Sequence, residues 1–395
     1  MGEAQRASRW HEPCLLNPMT ASSLESMSQS GEVSWRRFLP QLHDEGVGCK
    51  FASRHAGRGV LVTGAGGSIG SALVQALAGA GVECLLLLDS SELSLFELES
   101  QLAGTFKNAP CELVLGSIDD AALLDSLFGR HRVDVIYHAA AWKQVPLLEA
   151  NPFSALRNNS LGTYTLAQSA LRGGVSKLVL VSTDKAVNPR SIMGVSKRIA
   201  ELAVASLSGP ACRMNAIRLC NVIGSSGSVV PIFLKQIGQR KPVTVTDPRA
   251  SRWFITVQEA VEAILGCGAS SEQGKIFLPR VGEPVRITDL AQYLIRSAGE
   301  GLPGQVTYIG LRPGEKLSEE LLFENERQVG TEGGLTMVET PRLAVAELTA
   351  LIDELRARTA LRDLPGLLRA IPAVIPEYVP SAQLLGQAAT AVVPA

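Results

Sequence analysis

A hydroxyl, a carboxyl and an amine stand side by side at Thr183-Asp184-Lys185, directly after the apolar run Leu178 to Val181. A second amine, Lys197, follows in the segment Met193-Gly194-Val195-Ser196-Lys197. Side chains of these types donate, accept and relay protons when a fold gathers them within hydrogen-bond reach. Taken alone, Asp184-Lys185 also reads as a surface ion pair. Two features favour an active site: the pair lies past the carboxyl end of a strand, where open α/β sheets bind their ligands, and Lys197 lies downstream.

Those groups need a scaffold, and the sequence from Gly59 onward supplies one. Val60 to Val62, Leu85 to Leu88, Leu113 to Leu115, Val133 to Tyr137, Leu178 to Val181 and Ala216 to Leu219 are short apolar runs. Helical segments intervene, among them Ile69 to Ala80 and Leu93 to Leu102. Continuous apolar strands between helices predict a doubly wound α/β fold, its parallel sheet covered on both faces. Residues 1–56 are Ser-rich, with a short amphipathic stretch around Trp35 to Leu42, and read as an irregular, loosely attached arm. A dinucleotide-binding domain of Rossmann type is expected over 57–220. Loops rich in Gly, Ser and Pro then predict a smaller, mainly substrate-binding region over 221–330, with some chain returning to the first domain. Helical periodicity from Leu343 to Leu368, interrupted near Pro365, predicts a helical extension over 331–379, and 380–395 read as a flexible tail.

The 395 residues carry 37 basic and 38 acidic side chains. Without a basic surplus, nucleic-acid binding is disfavoured. The seven cysteines are scattered, with no CxxC pair and no His at zinc spacing, which predicts reduced thiols, a cytoplasmic setting and no metal site. No stretch approaches the roughly 20 apolar residues that span a bilayer, and residues 1–57 lack a signal-peptide core. A soluble protein without membrane insertion is expected.

Gly64-Ala65-Gly66-Gly67-Ser68-Ile69-Gly70 joins the first strand to the first helix. Gly64, Gly67 and Gly70 permit a tight turn, close approach to a pyrophosphate and close helix packing. Ser68 and Ile69 open a helix whose free N–H groups face phosphate. Asp89, ending the second strand, can accept from an adenosine ribose diol; Ser90 and Ser91 could tolerate a 2′-phosphate, so NAD is favoured and NADP stays open. Ile118 and Asp119 could bracket the adenine. Ala139, Ala140 and Ala141 are small and leave room for the cofactor.

At the catalytic segment the sequence resembles the extended short-chain dehydrogenase/reductase superfamily, whose members usually carry Tyr-x-x-x-Lys there. Met193 occupies the tyrosine position, and a thioether neither takes nor gives a proton. A narrower resemblance includes that change: the bacterial UDP-N-acetylglucosamine 4,6-dehydratases of capsule, O-antigen and glycoprotein-sugar synthesis have a Met branch. The likeness covers roughly residues 59–325, with a weaker echo at Ile371 to Pro380. It runs through the glycine loop, His138 to Pro146, Asn159 to Thr163, Ser182 to Pro189, Asn221 to Val229, and Leu311 to Lys316.

The resemblance implies a tightly bound NAD(P) that takes a hydride from carbon 4 of the sugar and returns it to carbon 6 after water leaves. It implies Asp184 as the acid at the 6-hydroxyl, Lys185 as the base at carbon 5, Thr183 as the contact for the 4-hydroxyl, and Lys197 at the nicotinamide ribose. Asn159 and Ser182 fall beside the cofactor in the same scheme. To act as a neutral base Lys185 needs a depressed pKa, which burial and nearby Lys197 are expected to provide. On the substrate side the resemblance implies Asn221 at the sugar or its phosphate, and Ser226-Gly227-Ser228-Val229 offering backbone N–H groups to a diphosphate. Arg252 and Arg312 would pair with phosphate, Lys143 would touch cofactor and sugar, and Glu315 would accept from a ribose hydroxyl.

This chain departs from its relatives at Trp142 and Gln144, where Tyr and His are common, and at Leu317-Ser318, where Tyr is frequent. Many Met-branch relatives also carry transmembrane helices where this chain has the short polar arm. The expected activity is a dehydratase acting on a UDP-N-acetylhexosamine. Inversion at carbon 5 stays open; a 4-epimerase is disfavoured by Met193; a non-catalytic NAD-binding module is the third reading. By analogy a homo-oligomer is expected, with the segment Pro152 to Arg172 as a packing surface.

Overall fold

The computed structural model describes Phe38 and residues 51–106, 109–298 and 305–390. Expectations for the arm before Phe51, Phe38 apart, and for 391–395 lie outside the described residues.

Six strands open the fold: β1 (Gly59–Thr63), β2 (Cys84–Asp89), β3 (Cys111–Leu115), β4 (Val135–His138), β5 (Lys177–Thr183) and β6 (Arg213–Leu219). Between them run α1 (Ser68–Ala78), α2 (Glu92–Thr105), α3 (Ala121–Arg130), α4 (Val145–Ala150), α5 (Gly162–Arg172) and α6 (Ile192–Leu207). The chain continues through α7 (Val229–Gly238), α8 (Val257–Ala269), β7 (Ile276–Leu278), α9 (Ile287–Ser297), β8 (Arg327–Glu332) and β9 (Leu335–Glu339). It ends in α10 (Val345–Leu361), α11 (Leu364–Ala370) and α12 (Ala382–Thr390).

The sheet order is β8-β9-β7-β6-β5-β4-β1-β2-β3. Strands β3 to β7 are parallel, and β9 and β8 add antiparallel at one edge. The order reverses between β1 and β4, which opens a crevice at the carboxyl ends of these strands.

Alternation along each strand sends neighbours to opposite faces. Val60, Val62, Leu85, Leu87, Val135, Tyr137 and Val179 meet α1 and α8 on one face. Leu61, Leu86, Leu88, Ile136, Leu178 and Leu180 meet α3, α5 and α6 on the other. Each such buried aliphatic side chain contributes about 1.5–3 kcal/mol, and covering both faces explains why the strand sequences are uniformly apolar. Val230, Phe233, Val243, Phe254, Leu290 and Leu294 form a separate core under α7 and α9.

The structure corrects three expectations. Packing begins before residue 57, with Ala52 in the main core and His55 bonded to the Tyr137 hydroxyl at 2.7 Å. The expected helical extension opens instead on the β8–β9 hairpin around Gly333-Gly334, because Leu335 and Val338 bury one face against the sheet. Residues 382–390 of the expected tail form α12, anchored by the fully buried Leu384. The segment Pro152 to Arg172 is a helix interrupted by a π-turn over Leu156–Leu161, and Ala155, Leu156, Leu166, Ala167 and Ala170 are wholly buried inside the chain. Arg157 and Arg172 are exposed on it, and Phe153, Tyr164 and Gln168 are partly exposed.

Candidate active site

Gly64 has φ +67°, and a Cβ there would lie 2.6 Å from the Ala140 nitrogen. A Cβ at Gly70 would lie 1.9 Å from the Gly64 carbonyl. The β1–α1 turn, the loop after β4 and the start of α1 therefore touch through bare backbone, with Gly67 capping α1. Such a cradle fits the pyrophosphate of a dinucleotide. Asp89 closes it from β2: its Oδ2 accepts from Gly66 N at 3.0 Å and its Oδ1 from Ser91 N at 2.9 Å. Ser90 is exposed beside it.

Below Ala139 lies a fully buried chain of hydrogen bonds. Thr163 Oγ1 donates to the Asn159 carbonyl at 2.6 Å, so it must accept from His138 Nε2 at 2.8 Å. His138 Nδ1 then accepts from the Thr63 hydroxyl at 2.7 Å. Burial, reinforced by the Lys197 charge, lowers the imidazole pKa to about 3, in accord with this neutral tautomer.

At the carboxyl end of β5, Asp184 Oδ1 accepts from the Thr183 hydroxyl and from Lys185 Nζ, both at 2.9 Å. Asp184 is wholly buried, and its Oδ2 has no partner. Lys185 also donates to Asn221 Oδ1 at 3.0 Å and lies 3.9 Å from Glu319 Oε1. Burial acts to lower the Lys185 pKa, but Asp184 and Glu319 outweigh it and the net direction is up. The expected depression is therefore corrected: two carboxylates face this ammonium. Of Lys185 and Lys197, it is Lys197 that is depressed, to about 8, because it is 3% exposed and only Glu201 acts to raise it.

Helix α6 presents Met193 and Lys197 one turn apart. Ser191 caps it, its Oγ accepting from Gly194 N at 3.1 Å. A Cβ at Gly194 would meet the Lys185 carbonyl at 2.3 Å, so glycine lets α6 press against the Asp184–Ala186 turn. Met193 is 3% exposed and belongs to the apolar core between α6 and α10.

Several expected ligand contacts are engaged within the protein. Asn159 Nδ2 donates to the Trp142 carbonyl and to Ser196 Oγ, each at 2.9 Å, which ties the loop after β4 to α6. Ser182 Oγ donates to Glu201 at 2.7 Å. Ile118 is buried against Gly162, and Asp119 pairs with Arg157 at 2.7 Å. Arg252 donates to the carbonyls of Ser251, Lys316 and Leu317 at 2.7–2.9 Å, and Arg312 donates to Glu315. Asn221 faces Lys185. Lys143 is exposed on the loop after β4, two positions past Ala141. Ser226 N donates to Ser68 Oγ at 3.0 Å, and Gln144 reaches the Gly227 carbonyl at 3.3 Å. The Ser226–Val229 stretch thus closes onto the start of α1, joining residues read as substrate-side to residues read as cofactor-side.

Sequence reasoning missed two features. Glu319, 5% exposed, sits among Lys185, Arg252 and Lys316, with Oε2 lacking a hydrogen bond. Beneath it, Arg218 is fully buried between Glu201 and Glu326, with bonds of 2.6–2.9 Å, and Arg198 joins the cluster while stacking on Phe323. This cluster fixes α6 and β6 to the segment after Glu319. A charge inside the apolar strand Ala216-Ile217-Arg218-Leu219 was the available signal, because arginine is rarely buried unpaired. Among the described residues no group of His, Cys, Asp and Glu is placed to hold a metal ion, and no helix is long and apolar enough to cross a membrane.

The polysaccharide biosynthesis protein family matches residues 60–340. The chain belongs to this family. CapD of Staphylococcus aureus, a capsular polysaccharide biosynthesis protein, is 43% identical over 271 residues, 68% of this chain and 45% of CapD. The chain thus spans a little under half the length of that relative. The inverting UDP-N-acetylglucosamine 4,6-dehydratase of Campylobacter jejuni is 31% identical over 70% of this chain and 80% of its own length. A UDP-glucose 4-epimerase of Rickettsia canadensis is 32% identical over 68% and 78%. Among solved structures, DesIV from Streptomyces venezuelae, a dTDP-glucose 4,6-dehydratase with NAD bound, matches with a TM-score of 0.60 at 25% identity, over 77% of this chain and 97% of DesIV. The family's extended Rossmann fold is the fold seen here.

Proposed function

We propose that the chain is a nucleotide-sugar 4,6-dehydratase that acts on a UDP-N-acetylhexosamine in surface polysaccharide synthesis, with NAD as its resident cofactor. The observation that carries this reading is the Thr183–Asp184–Lys185 contact set. One carboxylate oxygen holds both a hydroxyl and an ammonium, and the other is left free.

Elimination needs a neutral amine and a protonated carboxyl, and the pair supplies both at once. One proton passed from Lys185 Nζ to Asp184 Oδ1, across the 2.9 Å bond, leaves an amine beside a carboxylic acid. The amine removes the proton from carbon 5 while the acid protonates the departing 6-hydroxyl. The pair ends that step in the charge state in which it began. NAD, held by the Gly64–Gly70 cradle and Asp89, supplies a reversible hydride acceptor when bound. Lys197 holds positive charge near that cofactor, and Thr183 contacts the 4-hydroxyl. Asn221 keeps Lys185 oriented.

A UDP-sugar 4-epimerase is the second reading, favoured by the Rickettsia relative. Against it, Met193 can carry no proton. Incubation with UDP-N-acetylglucosamine, followed by mass spectrometry and proton NMR, separates the two. Loss of one water with a new methyl doublet, abolished in Lys185→Ala, supports the dehydratase. A changed sugar configuration at unchanged mass supports the epimerase. An unaltered substrate in the presence of bound dinucleotide refutes both.

A further inference from the structure

The amino-terminal edge of the sheet, opposite the glycine loop, gathers basic residues into one row. Arg58 precedes β1, Lys177 opens β5 and Arg213 opens β6, with Lys177 and Arg213 as register partners. Together with Arg54 and Arg132 they line a cavity of about 620 Å³. Asp134 is the only carboxylate in that lining. Its Oδ1 accepts from Arg132 at 2.9 and 3.2 Å, and its Oδ2 from Gly59 N at 3.0 Å. His55 adds no charge near neutrality, since burial lowers its pKa.

A helix-capping role explains Lys177 alone. It is 8% exposed and donates to the Gly268 and Ser270 carbonyls at 2.6 and 2.5 Å, closing the carboxyl end of α8. Arg58 and Arg213 have no such use. Among the described residues, neither guanidinium makes a hydrogen bond or ion pair. Neighbouring parallel strands stand about 4.8 Å apart, so the row is self-repelling. After burial, Arg213 and then Arg58 lower the Lys177 pKa, while Cys267 and Glu332 act to raise it.

We propose that this cavity binds a small molecule carrying a diphosphate group. A surplus of positive charge in a concave site, five Lys and Arg side chains against Asp134 in the lining, attracts anions, and the volume falls in the range of roughly 300–1,000 Å³ typical of small-ligand sites. The backbones at Arg58 and Arg213 are three strand spacings apart, about 14 Å. Two guanidinium forks carried at that separation on the cavity lining suit two linked phosphates better than one. The site lies across the sheet from Asp184 and does not depend on the dehydratase reading.

The test is calorimetric titration of the full chain with sodium pyrophosphate and, separately, with UDP. Pyrophosphate affinity should fall at least tenfold in Arg58→Ala/Arg213→Ala, persist in Arg252→Ala, and weaken as salt screens the charges. Both arginines are exposed, so the double variant should keep the circular dichroism of the parent. Arg58→Lys/Arg213→Lys should retain part of the affinity. UDP and pyrophosphate each report on the diphosphate. Tighter UDP binding in the Arg252→Ala background marks a nucleotide as the source, and equal binding marks the diphosphate alone. Identical pyrophosphate titrations for the parent and the double alanine variant, or no binding by the parent at millimolar concentration, overturn the proposal.

Discussion

Glu149 ends α4 with its side chain wholly buried, accepting from Ile192 N at 3.3 Å through Oε1 and leaving Oε2 without a partner. Burial raises its pKa from 4.5 to about 7, against the opposing bond from Ile192. The folded state therefore prefers the protonated carboxyl. Below pH 4.5 the folded and unfolded chains both hold the proton, and no penalty exists. Between there and about pH 7 the unfolded chain releases a proton that the folded chain keeps, so stability falls as pH rises. The penalty levels off at about 3 kcal/mol, the free-energy equivalent of that pKa difference. Glu149→Gln preserves shape and the bond from Ile192 but cannot titrate. Denaturant titrations of parent and variant at pH 5, 6, 7 and 8 should show the variant gaining on the parent by most of that amount. A stability difference that stays constant from pH 5 to 8 would refute the reasoning.

Glu319→Gln removes one of the two carboxylates that raise the Lys185 pKa. In the one-proton Lys185–Asp184 pair, loss of that proton ends activity at high pH, so the basic limb of the kcat/KM profile moves to lower pH in the variant, and an unmoved limb contradicts the assignment. Arg218→Met leaves Glu201 and Glu326 buried with a central cation gone. Breaking a buried ion pair by removing one partner costs about 3–5 kcal/mol, a loss that denaturant unfolding would register; a loss below 1 kcal/mol would show that the cluster adds little.

The sheet was legible because its strands are buried on both faces. Uniform apolar runs such as Leu85 to Leu88 and Leu178 to Val181 carry that information locally, and the glycine spacing after β1 marks the turn that must approach a neighbouring backbone. The β8–β9 hairpin was not legible as strand, since β8 reads Arg-Gln-Val-Gly-Thr-Glu, is largely exposed, and gains its form by pairing with β9. Helix α12 was missed for a related reason. An Ala-rich segment has weak periodicity, and its fate is decided by one contact, Leu384 entering the core built by α6 and α10.

The site was legible in residue type and position, less so in electrostatics. Placing Thr183, Asp184 and Lys185 at a strand end follows from local pattern. Which lysine is depressed does not, because the answer depends on carboxylates that arrive from far along the chain. Glu319 stands 134 positions after Lys185 in the sequence, yet its Oε1 lies 3.9 Å from the Lys185 ammonium. Lys197, more deeply buried on α6, meets no comparable pair and falls to about 8. The two lysines of the candidate site are thus held apart in charge by the loop that follows Arg312-Pro313-Gly314-Glu315-Lys316. The buried Arg218 cluster locks the far end of that loop to α6 and β6. A perturbation of the cluster should therefore reach Lys185 through the position of Glu319 rather than through the strand that carries the lysine.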